Sequence, residues 1–124
     1  MILLVASAQQ TRAALKPLIT ASGYDVTDID CDEAIDQRMR FRLPLAVIID
    51  CGIPDSFDLL AKIRADVHSH SVPVVMFSSD DQNLRDKALL KGADSYVPKG
   101  SLDWAELIAE IRRFAGPPPR PSDN

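Results

Sequence analysis

Two cysteines, Cys31 and Cys51, are too few to build a disulfide framework. The first residues show no signal-peptide pattern either, because the apolar stretch Ile2 to Ala6 is too short for one and lacks a basic flank. Both absences point to a reducing cytoplasm. No apolar run approaches the roughly 20 residues that a membrane helix needs, so a soluble chain without membrane contact is expected. There is no basic stripe: 14 Lys and Arg are interspersed with 18 Asp and Glu at a net charge of −4, which argues against a nucleic-acid footprint. No internal repeat is visible. The stretch VASAQQTR (5–12), after the first apolar run, has no glycine and so lacks the phosphate-cradling loop of a nucleotide-binding enzyme.

What the chain does have is one core's worth of apolar residues, 46% of 124, arranged in two alternating rhythms. Short apolar runs, ILLVA (2–6), YDVTDI (24–29), LAVIID (45–50), VPVVMFS (72–78) and SYVP (95–98), read as strands. Between them, apolar residues recur at three-to-four spacing. Ala14, Leu15, Leu18, Ile19 and Ser22 form the stripe of a first helix stopped by Gly23, with Pro17 marking a kink or a late start. A second helix over Cys31 to Phe41 rests on Ala34, Ile35 and Met39, capped by Asp30 or Asp32. Asp55 or Ser56 caps a third, whose inner face is Leu59, Leu60, Ile63 and Val67. Asp80 or Asp81 caps a fourth, ending at Gly92, and Ser101 a fifth, with Trp104, Leu107, Ile108 and Ile111 as its buried stripe.

Strands that are nearly all apolar need helices on both faces of their sheet. The expected fold is therefore α/β, a flavodoxin-like doubly wound sheet of five parallel strands in the order 2-1-3-4-5. It spans residues 1–115, and GPPPRPSDN (116–124) is a Pro-rich tail or the stub of a linker.

In such a sheet the carboxyl ends of the strands converge on one rim, where ligands bind. Three stretches meet there: IIDCGIP, VVMFSSD and GADSYVPKG. An Asp closing strand three with Pro54 four residues later, a hydroxyl closing strand four, and Gly-Ala-Asp-x-Tyr-x-x-Lys carrying strand five resemble the response-regulator receiver domain of two-component signalling. The resemblance covers essentially residues 1–115, and GYDV (23–26) fits it too.

That resemblance implies a chemistry. Asp50 is the phosphoacceptor, attacking a phosphoryl group carried by a partner histidine; Ser78 bonds a phosphoryl oxygen, Lys99 pairs with its charge, and Tyr96 is the switching aromatic. An anion meeting a carboxylate needs positive charge and oriented donors, so the set is chemically coherent. The plainer readings stand beside it: Asp50 as a strand end, Ser78 and Ser79 as a turn or helix cap, Lys99 as a solvated lysine. Cys51 reads as a small buried residue, His68 and His70 as solvated loop residues rather than metal ligands, and Trp104 as core packing.

The chain departs from the family at one place above all. Receivers carry an acidic pair after strand one which, with the phosphoacceptor and a backbone carbonyl, holds Mg²⁺; here Ala6 and Ser7 stand there. Asp50 and the Gly52 carbonyl are the residual metal candidates, a poor site for an ion that wants about six oxygens. Asp55, Asp58, Asp80 and Asp81 lie on rim loops, where capping explains them more simply than ligation. Gly100 also follows Lys99 where the family has Pro.

The expected function is a receiver-like module of a phosphorelay, with weak Mg²⁺ binding at best, impaired phosphorylation, and action through protein interaction. It is not an enzyme beyond phosphorylation and dephosphorylation of its own Asp50. The alternatives are a competent receiver phosphorylated on Asp50 by a histidine kinase, and a flavodoxin-like or nucleotide-binding enzyme on the same fold. The implied partners are a sensor histidine kinase or another signalling protein. A second copy is a further candidate, docking through helix four, strand five and helix five, where Arg85, Lys87 and Lys91 face Asp103, Glu106 and Glu110.

Overall fold

A computed structural model of the chain describes residues 1–29, 42–53, 56–78, 84–98 and 104–118. Among them are five strands, β1 (Ile2–Val5), β2 (Val26–Ile29), β3 (Ala46–Asp50), β4 (Val74–Phe77) and β5 (Ser95–Val97). Four helices accompany them: α1 (Gln9–Ala21), α2 (Ser56–Ala65), α3 (Arg85–Lys91) and α4 (Ala105–Ala115). The helix read over 31–41 lies outside the described residues, as do the caps Asp55, Asp80, Asp81 and Ser101. The strands pair in parallel in the order β2-β1-β3-β4-β5, the doubly wound topology expected.

Side chains alternate across this sheet and so build two cores. On one face Leu3, Val5, Val47, Ile49, Val74, Met76 and Tyr96 pack with Leu59, Leu60 and Ile63 of α2 and Ala88 of α3. On the other Ile2, Leu4, Ile48, Val75, Phe77 and Val97 pack with Leu15 and Ile19 of α1 and Leu107 and Ile111 of α4. The central strands are buried throughout, as their unbroken apolar sequences require. The edge strand β2, VTDI, is half-buried and carries the polar Thr27 and Asp28.

Several helix readings are corrected. Val67 is 80% exposed, because α2 ends at Ala65 and Val67 sits in the turn beyond it. In α1 only Leu15 and Ile19 are buried; Ala14 is exposed and Leu18 is 38% exposed, so the inner stripe is narrower than the spacing suggested. The helix starts at Gln9 and continues through Pro17 rather than beginning late. Pro17 and Ala13 are both exposed, so the carbonyl that loses its helical donor faces water. Trp104 is not inside the last helix but is its N-cap residue, although it does pack against the α1/α4 core. Cys51 is only half-buried.

The Gly-Ala-Asp stretch has a structural explanation at the rim opposite the strand ends of interest. Gly92 caps α3 in the left-handed conformation at φ 114, which favours glycine, and Ala93 is buried behind it. The Asp94 carboxylate accepts the Val74 N–H at 2.8 Å and pairs with Arg64 at 2.8 Å. Arg64 reaches there from α2 and also donates to the carbonyls of Gly92, His70 and Val72. One guanidinium thus ties α2, the turn after it, the start of β5 and the start of β4.

Candidate functional site

Asp50 closes β3 and is 3% exposed. Its Oδ1 accepts the Gly52 N–H at 2.8 Å, which turns the chain sharply over the carboxylate. The turn is fixed on both sides: the Cys51 N–H donates to the Phe77 carbonyl of β4 at 2.8 Å, and the Ser56 hydroxyl donates to the Cys51 carbonyl at 3.3 Å. Ser56 is therefore the first residue of α2, buried and bonded back to the turn. A Cβ on Gly52 would stand 3.2 Å from Asp50 Oδ1, so glycine leaves the carboxylate room.

Ser78 follows β4, is 3% exposed, and its N–H donates to the Val97 carbonyl of β5. Tyr96 is 2% exposed on the α2/α3 face, where its hydroxyl accepts the Leu84 N–H at 3.3 Å and Arg85 lies 5.8 Å from its ring centroid. Asp50 and Ser78 thus lie at the carboxyl ends of the neighbouring strands β3 and β4, and Tyr96 lies mid-strand in β5 as the register partner of Met76. Lys99 and Gly100 lie outside the described residues, as do Pro54 and Ser79.

At the end of β1, Ala6 is fully buried and Ser7 exposed. Their carbonyls both accept from one nitrogen of Arg12, at 2.5 Å from Ala6 and 2.9 Å from Ser7. Arg12 is itself held by Asp28 at 3.5 Å, and Lys16 bonds the same carboxylate at 3.0 Å. The Lys16 hydrogen bond is the main reason that the Asp28 carboxyl titrates below its ordinary range. The sequence reading missed Arg12; its signal was position alone, one turn into the helix that follows the Ala6-Ser7 pair. The place where an acidic pair was looked for thus presents a methyl group, a hydroxyl and two carbonyls already engaged by a cation.

Other candidates scatter. Asp58 is exposed in the first turn of α2, and His68 and His70 are exposed in the turn after α2, at the opposite rim. Among the described residues no group of three or more His, Cys, Asp or Glu side chains is placed to hold a metal ion. Part of the charged set assigned to a dimer face has partners within the chain. Lys87 lies 4.4 Å over the Phe57 ring, and Glu110 accepts the Ser95 hydroxyl at 3.0 Å and pairs with Arg113 at 3.7 Å.

Comparisons with known proteins agree with this geometry. A family model described as response regulator receiver domain matches residues 2–112. The chain is 27% identical over 97 residues to the phosphate regulon transcriptional regulatory protein PhoB of Rhizobium meliloti, covering 76% of the chain and 42% of that protein. It is 26% identical over 113 residues to hybrid signal transduction histidine kinase D of Dictyostelium discoideum, covering 89% of the chain and 7% of that protein. The chain therefore spans less than half of the length of either relative. Among solved structures, the BeF3-activated receiver domain of Klebsiella pneumoniae RstA superposes with a TM-score of 0.80 at 20% identity, over 93% of this chain and 97% of that one. The receiver domain of sensor histidine kinase PA1611 from Pseudomonas aeruginosa, with magnesium in its active-site cleft, gives 0.80 at 24% identity, over 93% and 96%.

Proposed function

The chain belongs to the response regulator receiver domain family, matched over residues 2–112, and from that premise we propose that it is a signalling module acting by protein interaction, with impaired Mg²⁺-dependent phosphorylation. One observation carries the reading: the carbonyls of Ala6 and Ser7, at the end of β1, both accept from Arg12 where the family's metal-binding carboxylates would stand. The Mg²⁺ of the family does not fit these residues. Mg²⁺ demands octahedral oxygen ligands and sheds water reluctantly, so a site reduced to Asp50 and the Gly52 carbonyl holds it weakly.

Asp50 remains the phosphoacceptor of this reading. Burial, and the Gly52 N–H on Oδ1, orient its carboxylate, with Ser78 and Tyr96 on the adjacent strands and Lys99 as the fourth member of the set. Without the metal, Lys99 is the cation of this set that opposes the repulsion between the carboxylate and an incoming phosphoryl dianion, and slow phosphoryl uptake follows. A sensor histidine kinase or another signalling protein is the partner class, and the surface of α3, β5 and α4 is the face offered, including for pairing of two copies. Among the described residues no helix is long and apolar enough to cross a membrane.

Intact-mass measurement after incubation with a phosphoramidate donor, with and without Mg²⁺, tests the proposal. The expected result is no single-phosphoryl shift. A Mg²⁺-dependent shift that disappears in Asp50→Asn makes the chain a competent receiver instead.

A further inference from the structure

The aromatic side chains of Tyr96 and Trp104 stand on opposite faces of the sheet. Tyr96 belongs to the α2/α3 core and is held there by the Leu84 N–H and by Arg85. Trp104 packs against the α1/α4 core, edge-to-face with Phe77 at 5.7 Å between centroids and 88° between planes.

The position of Trp104 carries backbone strain. At φ 61 and ψ 13 it is the one non-glycine residue with positive φ among the described residues. A bulky side chain adopts that conformation only where its surroundings over-determine it. The T-shaped contact with Phe77 is the described interaction that holds the ring, and the Trp104 carbonyl starts α4 by accepting the Ile108 N–H at 3.0 Å.

Phe77 in turn lies beside Asp50. The two are register partners across β3 and β4, so their side chains project to the same face, and the Phe77 carbonyl accepts the Cys51 N–H from the turn that covers the Asp50 carboxylate. By strand alternation Asp50 falls on the Ile48, Val75 and Phe77 side of the sheet, whereas Tyr96 packs with Met76 on the other. The rim thus divides into two routes by strand parity alone.

We propose that Trp104 is a second readout of Asp50: a change at the Asp50 carboxylate passes through Phe77 to the strained Trp104 and so to the first turn of α4, independently of Tyr96. The inference rests on Asp50 being the signalling carboxylate of the proposed function, and it adds the element that reports its state.

Trp104 is the sole tryptophan of the 124 residues, so their emission reports this residue alone. Four variants are compared with the parent: Asp50→Asn, Asp58→Asn as an exposed carboxylate of α2, Phe77→Leu, and Asp50→Asn combined with Phe77→Leu. Emission maximum, acrylamide quenching and amide exchange over residues 105–108 are measured. Asp50→Asn is expected to shift the emission, increase quenching and speed exchange in the first turn of α4, whereas Asp58→Asn does none of these. With Phe77→Leu as the background, Asp50→Asn produces no further change. If quenching and exchange are untouched by Asp50→Asn, or respond equally with Phe77 absent, the coupling is overturned. Should Phe77→Leu fail to fold, exchange in Asp50→Asn with Phe77 intact decides the matter. No step needs phosphoryl transfer, so a mass shift in the phosphoramidate experiment overturns the impaired-phosphorylation reading and leaves this one to be judged on Trp104.

Discussion

The hydroxyl of Tyr24 donates to the carbonyl oxygen of Gly116, joining the turn before β2 to the residue that ends α4, 92 positions further along. The contact is reinforced next door, where a Cβ on Gly23 would stand 2.8 Å from the Cβ of Pro118. Pro118 of the tail therefore lies against the domain at the end of the sheet away from Asp50.

Tyr24→Phe removes one hydrogen bond from a side chain that is 1% exposed, and a loss of about 1 kcal/mol is expected. For a domain of this size that is a fall in Tm of about 4 °C by calorimetry. Gly23→Ala, strained by φ 102 and by Pro118, costs a similar amount, about 1–2 kcal/mol. Burial also raises the Tyr24 phenol above its ordinary pKa. The folded state then favours the neutral phenol, so this contribution is complete below about pH 10 and is lost as pH rises above it. Tyr24→Phe flattens that alkaline decline in denaturant midpoints.

At the other end of the pH scale, Asp28 acts through Lys16. A depressed carboxyl pKa means that the unfolded chain binds protons first, so the contribution is present above about pH 3.9 and lost as pH falls through the folded value. Lys16→Gln removes the largest cause of the depression, and Lys16 is half exposed, so the expected loss at pH 7 is about 0.5 kcal/mol. Urea midpoints of the two proteins should converge at low pH. A constant gap across that range rules the linkage out.

The Arg64 clamp predicts an asymmetry between two substitutions. Arg64→Ala strands carbonyls of Gly92, His70 and Val72 and should cost about 2–3 kcal/mol, while Arg64→Lys recovers little because one ammonium cannot reproduce the fork. Asp94→Ala loses the same ion pair and the acceptor for the Val74 N–H, so the double variant is less than additive in chemical denaturation.

Installing the absent carboxylates gives a direct test at the candidate site. Ala6→Asp with Ser7→Asp should lower stability without metal, by crowding like charges near Asp50, and should regain it on adding Mg²⁺. Thermal unfolding with and without Mg²⁺ reads the effect, and the parent protein is expected to show no comparable gain. Equal responses in the two proteins would mean that Ala6 and Ser7 are not where metal affinity was lost.

Much of this molecule is legible in its sequence because the relevant physics is local. Runs of four to seven residues between turn residues mark the five strands, and nearly unbroken apolarity marks a sheet covered on both faces. Asp50 and Ser78 stand at the ends of such runs, which the parallel topology brings to one rim, while Tyr96 lies mid-strand in β5. The Ala6-Ser7 pair is legible for the same reason.

What only the tertiary structure decided are contacts between residues far apart in sequence, and helix ends, where a short segment has no strong preference of its own. Spacing put Val67 and Leu18 inside and Trp104 within a helix; the packed chain exposes the first two and sets Trp104 in a left-handed turn against Phe77. The engagement of the Ala6 and Ser7 carbonyls by Arg12, the four-way hold of Arg64 and the tie from Tyr24 to Gly116 leave no periodic trace, because each joins side chains to backbone across a fold that must first exist. The order of the strands was thus written in local pattern. That Asp50 stands beside Phe77 was settled only when β4 came to rest beside β3.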